Sequence, residues 1–395
     1  MIAPNVVNSR PAWVKGKSKL TDDGFSFAED GWERYGGSDA WLENLRSILS
    51  SRVLERISGH LQATVAVAAI ISGVFYAERQ GYLPGLQEAV EACALPGLPH
   101  EAVGSFIGLL LAFRTSQAYD RFWEARKLWD DVYSSSRSIV RLATAAGREV
   151  SSEDPERAQR LGQLIVGLTA AWPYSLKQHL RGERNVDELI DAATAAANCS
   201  RRSPVALQLF AACEQPNVPL AVIECLTHAL LRMRAPHGDL LWWQLDAKAE
   251  ELIAILGKAE RIKGTPVPLS YSRHTSRFFS VYAFTLPLAL VGEKVSLLLI
   301  PPIVAVIAWV IFATEEIGHI IEGPFERGVS DDPDDPAAGA SSGPSSLQLE
   351  VLPLGRYCAD IASDAATIFS ASPTSLDEMP GGGEDIDLFD SPENS

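Results

Sequence analysis

Charge is missing from four stretches of this chain, and their lengths set its predicted architecture. Residues 61–77 (LQATVAVAAIISGVFYA) run 17 positions without a charged side chain, 295–314 run 20, 278–292 run 15 and 102–113 (AVGSFIGLLLAF) run 12. At ~1.5 Å rise per residue, about 20 apolar residues match a ~30 Å hydrocarbon core. The pattern predicts membrane helices at about 60–78, 276–292 and 294–316, the last two forming a hairpin that turns at 292–294. Pro287 and the Pro301, Pro302 pair are expected to kink that hairpin, which is tolerable where neighbouring helices satisfy the freed carbonyls. The alternative for these runs is a buried helical pair in a soluble core. Two runs of spanning length argue against it. The 102–113 run is too short to face lipid and fits a helix shielded by the others. No proline or glycine then interrupts RTSQAYDRFWEARKLWDDVYSSSRSIVRLATAA. One long helix is therefore expected from about 101, through 130 and out into water.

Residues 130–275 read as soluble and helical. Turn-forming residues cluster at 151–155, 198–204, 215–219 and 235–238, with helical stretches between them. Asp239 is the expected N-cap of a helix that sets Leu241, Leu245, Leu252 and Leu256 on one face. The run GTPVP at 264–268 ends it and returns the chain toward the bilayer. Loop charge supplies the orientation. Residues 1–60 carry eight bases and 114–277 carry 22, whereas 78–101 hold Arg79 alone. The positive-inside bias then places both termini and the middle region on the cytoplasmic side, or its organellar equivalent. That requires an even number of crossings, and four satisfies it. The predicted fold class is all-α: four transmembrane helices per subunit with a large helical soluble region.

Net charge changes the picture only at one end. The formal charge is −16, yet from Glu315 onward there are 18 acids and two bases, so residues 1–314 balance. The acidity belongs to a tail, 331–395, rich in Pro, Gly and Ser and expected to be disordered, with a docking helix at 350–370. Residues 1–30 read as a flexible N-terminal segment. Within it, residues 1–21 hold four bases and no acid, as in a remnant of an organelle-targeting segment, though with only two serines. The neutral body shows no domain-wide basic excess, so no nucleic-acid partner is expected. Five cysteines without framework spacing point to a reducing face.

Catalytic motifs are not found: the sequence holds no P-loop, no GxGxxG after a strand and no GxSxG elbow. Glu316 and His319 form one ExxH, whereas di-iron bundles need two copies and two further Glu. Asp331, Asp332, Asp334 and Asp335 offer hard oxygens suited to Ca²⁺. Pro333 and Pro336 between and after them favour a solvated acidic linker. A different constellation lies on the 102–129 helix. Steps of four from Ser105 reach Leu109 and Phe113, and Gln117 and Arg121 continue the stripe as it drifts around the axis. Several copies around an axis would make a narrow apolar throat opening into a wetter funnel. Phenyl rings seen edge-on present the positive rim of their quadrupole, which favours an anion. Periodicity equally allows an ordinary core helix packed inside one subunit.

Residues 105–129, SFIGLLLAFRTSQAYDRFWEARKLW, resemble the signature of the bestrophin family of anion channels. TPVPLSY at 265–271, EEIGHIIEGPF at 315–325 and the weaker LPLGRYC at 352–358 follow in the family's order. The similarity covers about 30–330, so that residues 31–330 form a bestrophin-like channel domain. WERYGGSDAWLENLRSILSSRV at 32–53 and the acidic tail are most similar to plant and algal members. The resemblance implies a homopentamer around a central pore. Its neck falls on Ser105, Leu109 and Phe113, with Ser105 in place of the usual bulky residue, and a second, cytosolic constriction falls on Leu240. It also implies a calcium clasp after the GPF at 323–325. Here Glu326-Arg-Gly-Val-Ser330 intervene before the aspartates, so no cofactor is expected to be required and Ca²⁺ is held the weaker reading. Plant and algal relatives imply chloride or bicarbonate movement at the chloroplast thylakoid membrane, with the plasma membrane as the alternative.

The expected function is a pentameric anion-selective channel that passes chloride and bicarbonate across a lipid bilayer, not an enzyme. A non-conducting membrane scaffold that recruits a protein partner through its acidic tail is the alternative, motivated by the apolar residues around Leu388. A secondary transporter is disfavoured, because no inverted repeat or paired intramembrane ionisable groups are visible.

Overall fold

Helix-forming segments follow one another in this chain with little between them, and the structure, a computed structural model, is all-α over the residues it describes: 42, 45–46, 51–83, 87–150, 155–234, 238–326 and 352–371. In chain order the helices are α1 (Arg52–Arg79), α2 (Gln87–Ala92), α3 (Gly97–Val150), α4 (Pro155–Arg181), α5 (Val186–Ala196), α6 (Pro204–Cys213), α7 (Val218–Leu231), α8 (Asp239–Gly264), α9 (Leu269–Gly292), α10 (Ile300–Glu322) and α11 (Leu354–Ser370). The tail aspartates, residues 1–30 and the apolar residues around Leu388 lie outside the described residues.

An apolar bundle is built from α1, α9, α10 and the first half of α3. Ile57, Ile107, Phe279, Ala283, Ala308, Ile311 and Phe312 fill one layer, and Ala68, Phe75, Leu286, Val291, Ile300 and Val304 fill the next. Two of its helices, spanning Val53–Arg79 and Ile300–Glu322, are long and apolar enough to cross a membrane. Only 22% and 33% of their most apolar windows are buried within the chain. Ile70, Val74, Leu298, Val306 and Val310 are exposed, a distribution that suits lipid or another subunit and not the core of a water-soluble chain.

The hairpin differs from the sequence reading. The last helix of the bundle starts at Ile300, six residues later than the expected 294, and ends at Glu322 instead of 316. Pro301 and Pro302 therefore occupy its first turn, where an N–H would lack an intrahelical partner anyway, and they start the helix instead of kinking it. Pro287 does stand inside α9, which begins at Leu269 and not at 276. The turn between them reverses at Lys294 (φ 59°). It is clasped to the α2–α3 connection: Leu95 N donates to Leu288 O (3.2 Å) and Gly97 N to Glu293 Oε1 (3.1 Å). A Cβ at Gly292 would collide with the Leu95 carbonyl, so glycine is required there by close backbone approach.

α3 has 54 residues, ~80 Å at ~1.5 Å each, and passes from this bundle into a second, larger core. There α4 is the axis: every residue from Leu164 to Gln178 is buried, including Lys177, whose ammonium meets Glu188 at 2.5 Å. Around it pack α3, α5, α7 and α11. The segmentation of this region gains a break not anticipated from the sequence. α4 ends before Gly182 (φ 71°), and Asn185 caps α5 by accepting from Glu188 N at 3.1 Å. At α8 the cap is one residue earlier than expected: Gly238 (φ 82°) precedes the helix, and Asp239, its first residue, instead meets Arg234 at 2.6 Å, which holds the Asp239 carboxyl below its usual range.

α11 docks on α3, α4 and α5 by an apolar face of Leu354, Cys358, Ile361, Ala362 and Ala365. Its polar edge is tied to α3, with Tyr133 OH donating to Asp360 Oδ2 (3.1 Å) and Arg137 donating twice to Asp364 Oδ2 (2.8 and 2.6 Å). Burial, reinforced by the Asp360 charge, pushes the Tyr133 phenol well above its ordinary value of 10.0.

Two outcomes follow. Ile361→Ala is expected to lower unfolding free energy by about 2–5 kcal/mol, whereas Arg137→Ala, whose partner pair is half exposed, should cost no more than about 1 kcal/mol. Chemical denaturation followed by tryptophan fluorescence separates these, and equal losses would contradict the apolar docking of α11. A phenol kept neutral in the folded state contributes fully below pH 10 and is lost as pH rises past that value. Stability should thus decline in the alkaline range less steeply in Tyr133→Phe than in the parent chain, as read by denaturation at stepped pH.

Candidate functional site

The first half of α3 carries two opposed faces, and their contrast defines the site. At ~100° per residue, Ser105, Leu109 and Phe113 share one side, with Ile107 and Arg114 roughly across the axis. Ile107 and Arg114 are buried, whereas Leu109 is 51% and Phe113 55% exposed, and Ser105 is exposed as well. The structure thus turns all three stripe residues away from the chain's own core. The Ser105 hydroxyl donates to Glu101 O (3.2 Å), so its proton is committed to its own helix. Gln117 continues the exposed side, but Arg121 does not, which corrects the reading of a stripe running on to that residue.

Arg121 turns inward and closes the ends of two helices. Its Nε donates to Glu322 O (2.8 Å), its Nη1 to Thr265 O (2.6 Å) and its Nη2 to Ile262 O. These carbonyls lie at the C-termini of α8 and α10, where no intrahelical donor remains and the helix dipole favours a cation. Two turns earlier, Arg114 is buried and engaged through both of its terminal nitrogens. Nη1 donates to Thr275 Oγ1 (2.7 Å) and approaches Glu315 Oε1 (3.4 Å), and Nη2 donates to Ser272 Oγ (3.1 Å). Nη2 also meets His319 Nε2 at 2.7 Å. Guanidinium has only donors, so the His319 nitrogen facing it accepts. One side chain therefore joins α3 to α9 and α10, immediately beside Phe113.

Below the stripe, the exposed side of α3 carries aromatic rings that sequence reading missed. Tyr119 and Trp123 stack in parallel with centroids 6.4 Å apart, and Lys127 Nζ lies 5.9 Å from the Trp123 ring. Their four-residue spacing was the available signal. Glu124 pairs with Arg261 of α8. Leu240, the second residue of α8, is 70% exposed, with Trp243 exposed one turn on.

The ExxH residues are engaged otherwise: Glu316 pairs with Arg56 of α1 and His319 faces Arg114. No group of three or more metal-binding side chains occurs among the described residues. The GPF turn is buried at Phe325, whose carbonyl accepts from Arg181 Nε (3.3 Å). Asp331, Asp332, Asp334 and Asp335 lie outside the described residues.

The chain is similar to known proteins in sequence and in fold. The sequence profile of the family described as Bacterial/Fungal Bestrophin protein matches residues 35–333. A voltage-dependent anion channel-forming protein of Nostoc sp. is 33% identical over 225 residues, 55% of this chain and 66% of its own length. Voltage-dependent chloride channel 1, chloroplastic, of Arabidopsis thaliana is 28% identical over 302 residues, 76% of this chain and 68% of its own. The matched stretches thus span about two thirds of these relatives' lengths. A crystal structure of a bacterial bestrophin homolog from Klebsiella pneumoniae superposes with a TM-score of 0.61 at 22% identity, covering 80% of this chain and all of that one. With the profile spanning three quarters of its length, this chain belongs to the bestrophin family.

Proposed function

We propose that this protein is an anion channel formed by five copies around a shared axis, with Ser105, Leu109 and Phe113 of each α3 forming the pore neck. The observation that carries the reading is the outward stripe held opposite a buried Arg114 that is bonded through Nη1 and Nη2 to α9 and α10. A helix that merely filled a core would bury Leu109 and Phe113. A cyclic ring repeats one heterologous interface and gives such a face a partner without exposing it to bulk water. Names of the relatives, anion channel-forming and chloride channel, support the same reading.

The chemistry of the neck is dehydration. An anion entering a ring of phenyl edges loses part of its hydration shell and meets the positive rim of each quadrupole. Selectivity then follows dehydration cost, and closure by dewetting needs no blocking charge. Chloride and bicarbonate are the proposed ions, moved passively without catalysis or a resident cofactor. Leu240 is proposed as a second, looser apolar ring on the soluble side, since it too is outward. Four crossings, by α1, α3, α9 and α10, keep both ends of the bundle's chain on the base-rich side. A chloroplast membrane is the proposed location, supported by the relatives named chloroplastic, and within the chloroplast the thylakoid is proposed.

Phe113→Ala should widen the neck while five-fold assemblies persist. In planar bilayers the permeability of thiocyanate relative to chloride should fall by about two- to ten-fold, equivalent to ~0.4–1.4 kcal/mol of barrier. Unchanged ratios would count against the neck. Arg114→Gln leaves Glu315 buried without its cation and should lower stability by about 3–5 kcal/mol. Combining it with Glu315→Gln should recover part of that loss, whereas additive losses in the double-mutant cycle would show that the pair does not act as a unit.

A further inference from the structure

In the soluble region α6 shows an apolar face with no cover. Val205, Ala206, Leu209 and Ala212 are buried, but Leu207 and Phe210, one turn apart on the other side, are 69% and 59% exposed. Bases stand at both ends of this face. Arg202 is exposed just before the helix, and Arg184 reaches its far end, donating to the carbonyls of Cys213, Gln215 and Pro216. The pattern is base, two large apolar groups, base, along a helix of ten residues, ~15 Å.

The chain itself carries the complement. After Ala371 come 24 more residues, among them 384–390, EDIDLFD, with acids on either side of Ile386, Leu388 and Phe389. The exit point is favourable. Phe369, in the last turn of α11, packs against Gly162 of α4. The neighbouring Gln163 donates to Asn198 O (3.4 Å) in the segment leading into α6. α11 therefore delivers the tail beside the N-terminal end of α6. The 12 residues between Ala371 and Glu384 span up to ~40 Å when extended, enough to lay 384–390 along the helix.

We propose that residues 384–390 of each chain bind across the outer face of that chain's own α6, with Leu388 and Phe389 on Leu207 and Phe210 and the flanking acids toward Arg202 and Arg184. Tethering supplies a local concentration in the millimolar range, so the contact needs only modest intrinsic affinity. The inference does not rest on ion conduction.

The test uses the full-length protein in lipid nanodiscs, with a benzophenone amino acid placed in turn at Leu207 and at Phe210, leaving the other residue intact. Unlabelled and ¹⁵N-labelled subunits are mixed before assembly, irradiated and mapped by mass spectrometry. The expected product joins α6 to residues 384–390 of the same isotopic label. It should fall at least five-fold in Leu388→Asp/Phe389→Asp and in Arg202→Glu, and fall as salt is raised. Cross-links to another subunit's body or tail, to lipid alone, or undiminished by these substitutions would overturn the proposal. Each variant's fold is checked by its circular dichroism and its assembly size.

Discussion

A guanidinium buried at the exit of an apolar bundle constrains most of what this chain can do. Removing a full charge from water is costly unless every donor finds an acceptor and the charge a counter-charge. Arg114 offsets that cost through Nη1 and Nη2, with Thr275 and Ser272 of α9 and Glu315 and His319 of α10, all reached from α3. The geometry leaves α3 little freedom to rotate, since any turn about its axis would strip the guanidinium of partners. Arg121 repeats the device two turns on, with backbone carbonyls as acceptors. The outward direction of Leu109 and Phe113 is the consequence: the side of α3 that faces away from the chain is fixed by what is bonded on the side that faces in.

The larger core extends this constraint beyond the bundle. One helix, α3, is shared by both cores, and its soluble half is gripped by α4, α8 and α11. Trp172 at the centre of α4 donates to Pro219 O (3.1 Å), and Trp129 of α3 lies in the same cluster, so the rod is anchored by large buried rings. A pore helix that continues unbroken into a rigid base gives the proposed neck a fixed diameter without contacts to the ion.

Much of this was legible in the sequence because its signals are periodic. The charge-free runs gave the bundle, and uninterrupted helix formers gave α3 its length. Leu245, Leu252 and Leu256 fall in the core where their spacing put them. What escaped depends on partners distant in the chain. The segment 269–275 falls outside the membrane helix predicted at 276–292, yet it forms the first turns of α9, because Ser272 and Thr275 face Arg114 and make a polar helical start favourable. Pro301 and Pro302 signal either a kink or a helix start, and the difference lies in where the preceding turn ends. The arginines of FRTSQAYDR were visible as a motif, but their inward direction follows from acceptors on α8, α9 and α10. The break before α5 was readable, since Asn185 followed by Glu188 after Gly182 is a capping pattern.

The central claim concerns direction and number: five α3 helices with Phe113 turned toward one axis. Cryo-electron microscopy of the full-length protein in lipid nanodiscs tests it most directly. The account predicts a five-fold ring whose narrowest point is lined by Leu109 and Phe113, with Arg114 behind them bonded to its own subunit's α9 and α10. A particle without a central opening, or one in which Phe113 contacts lipid on the outer rim, would contradict it.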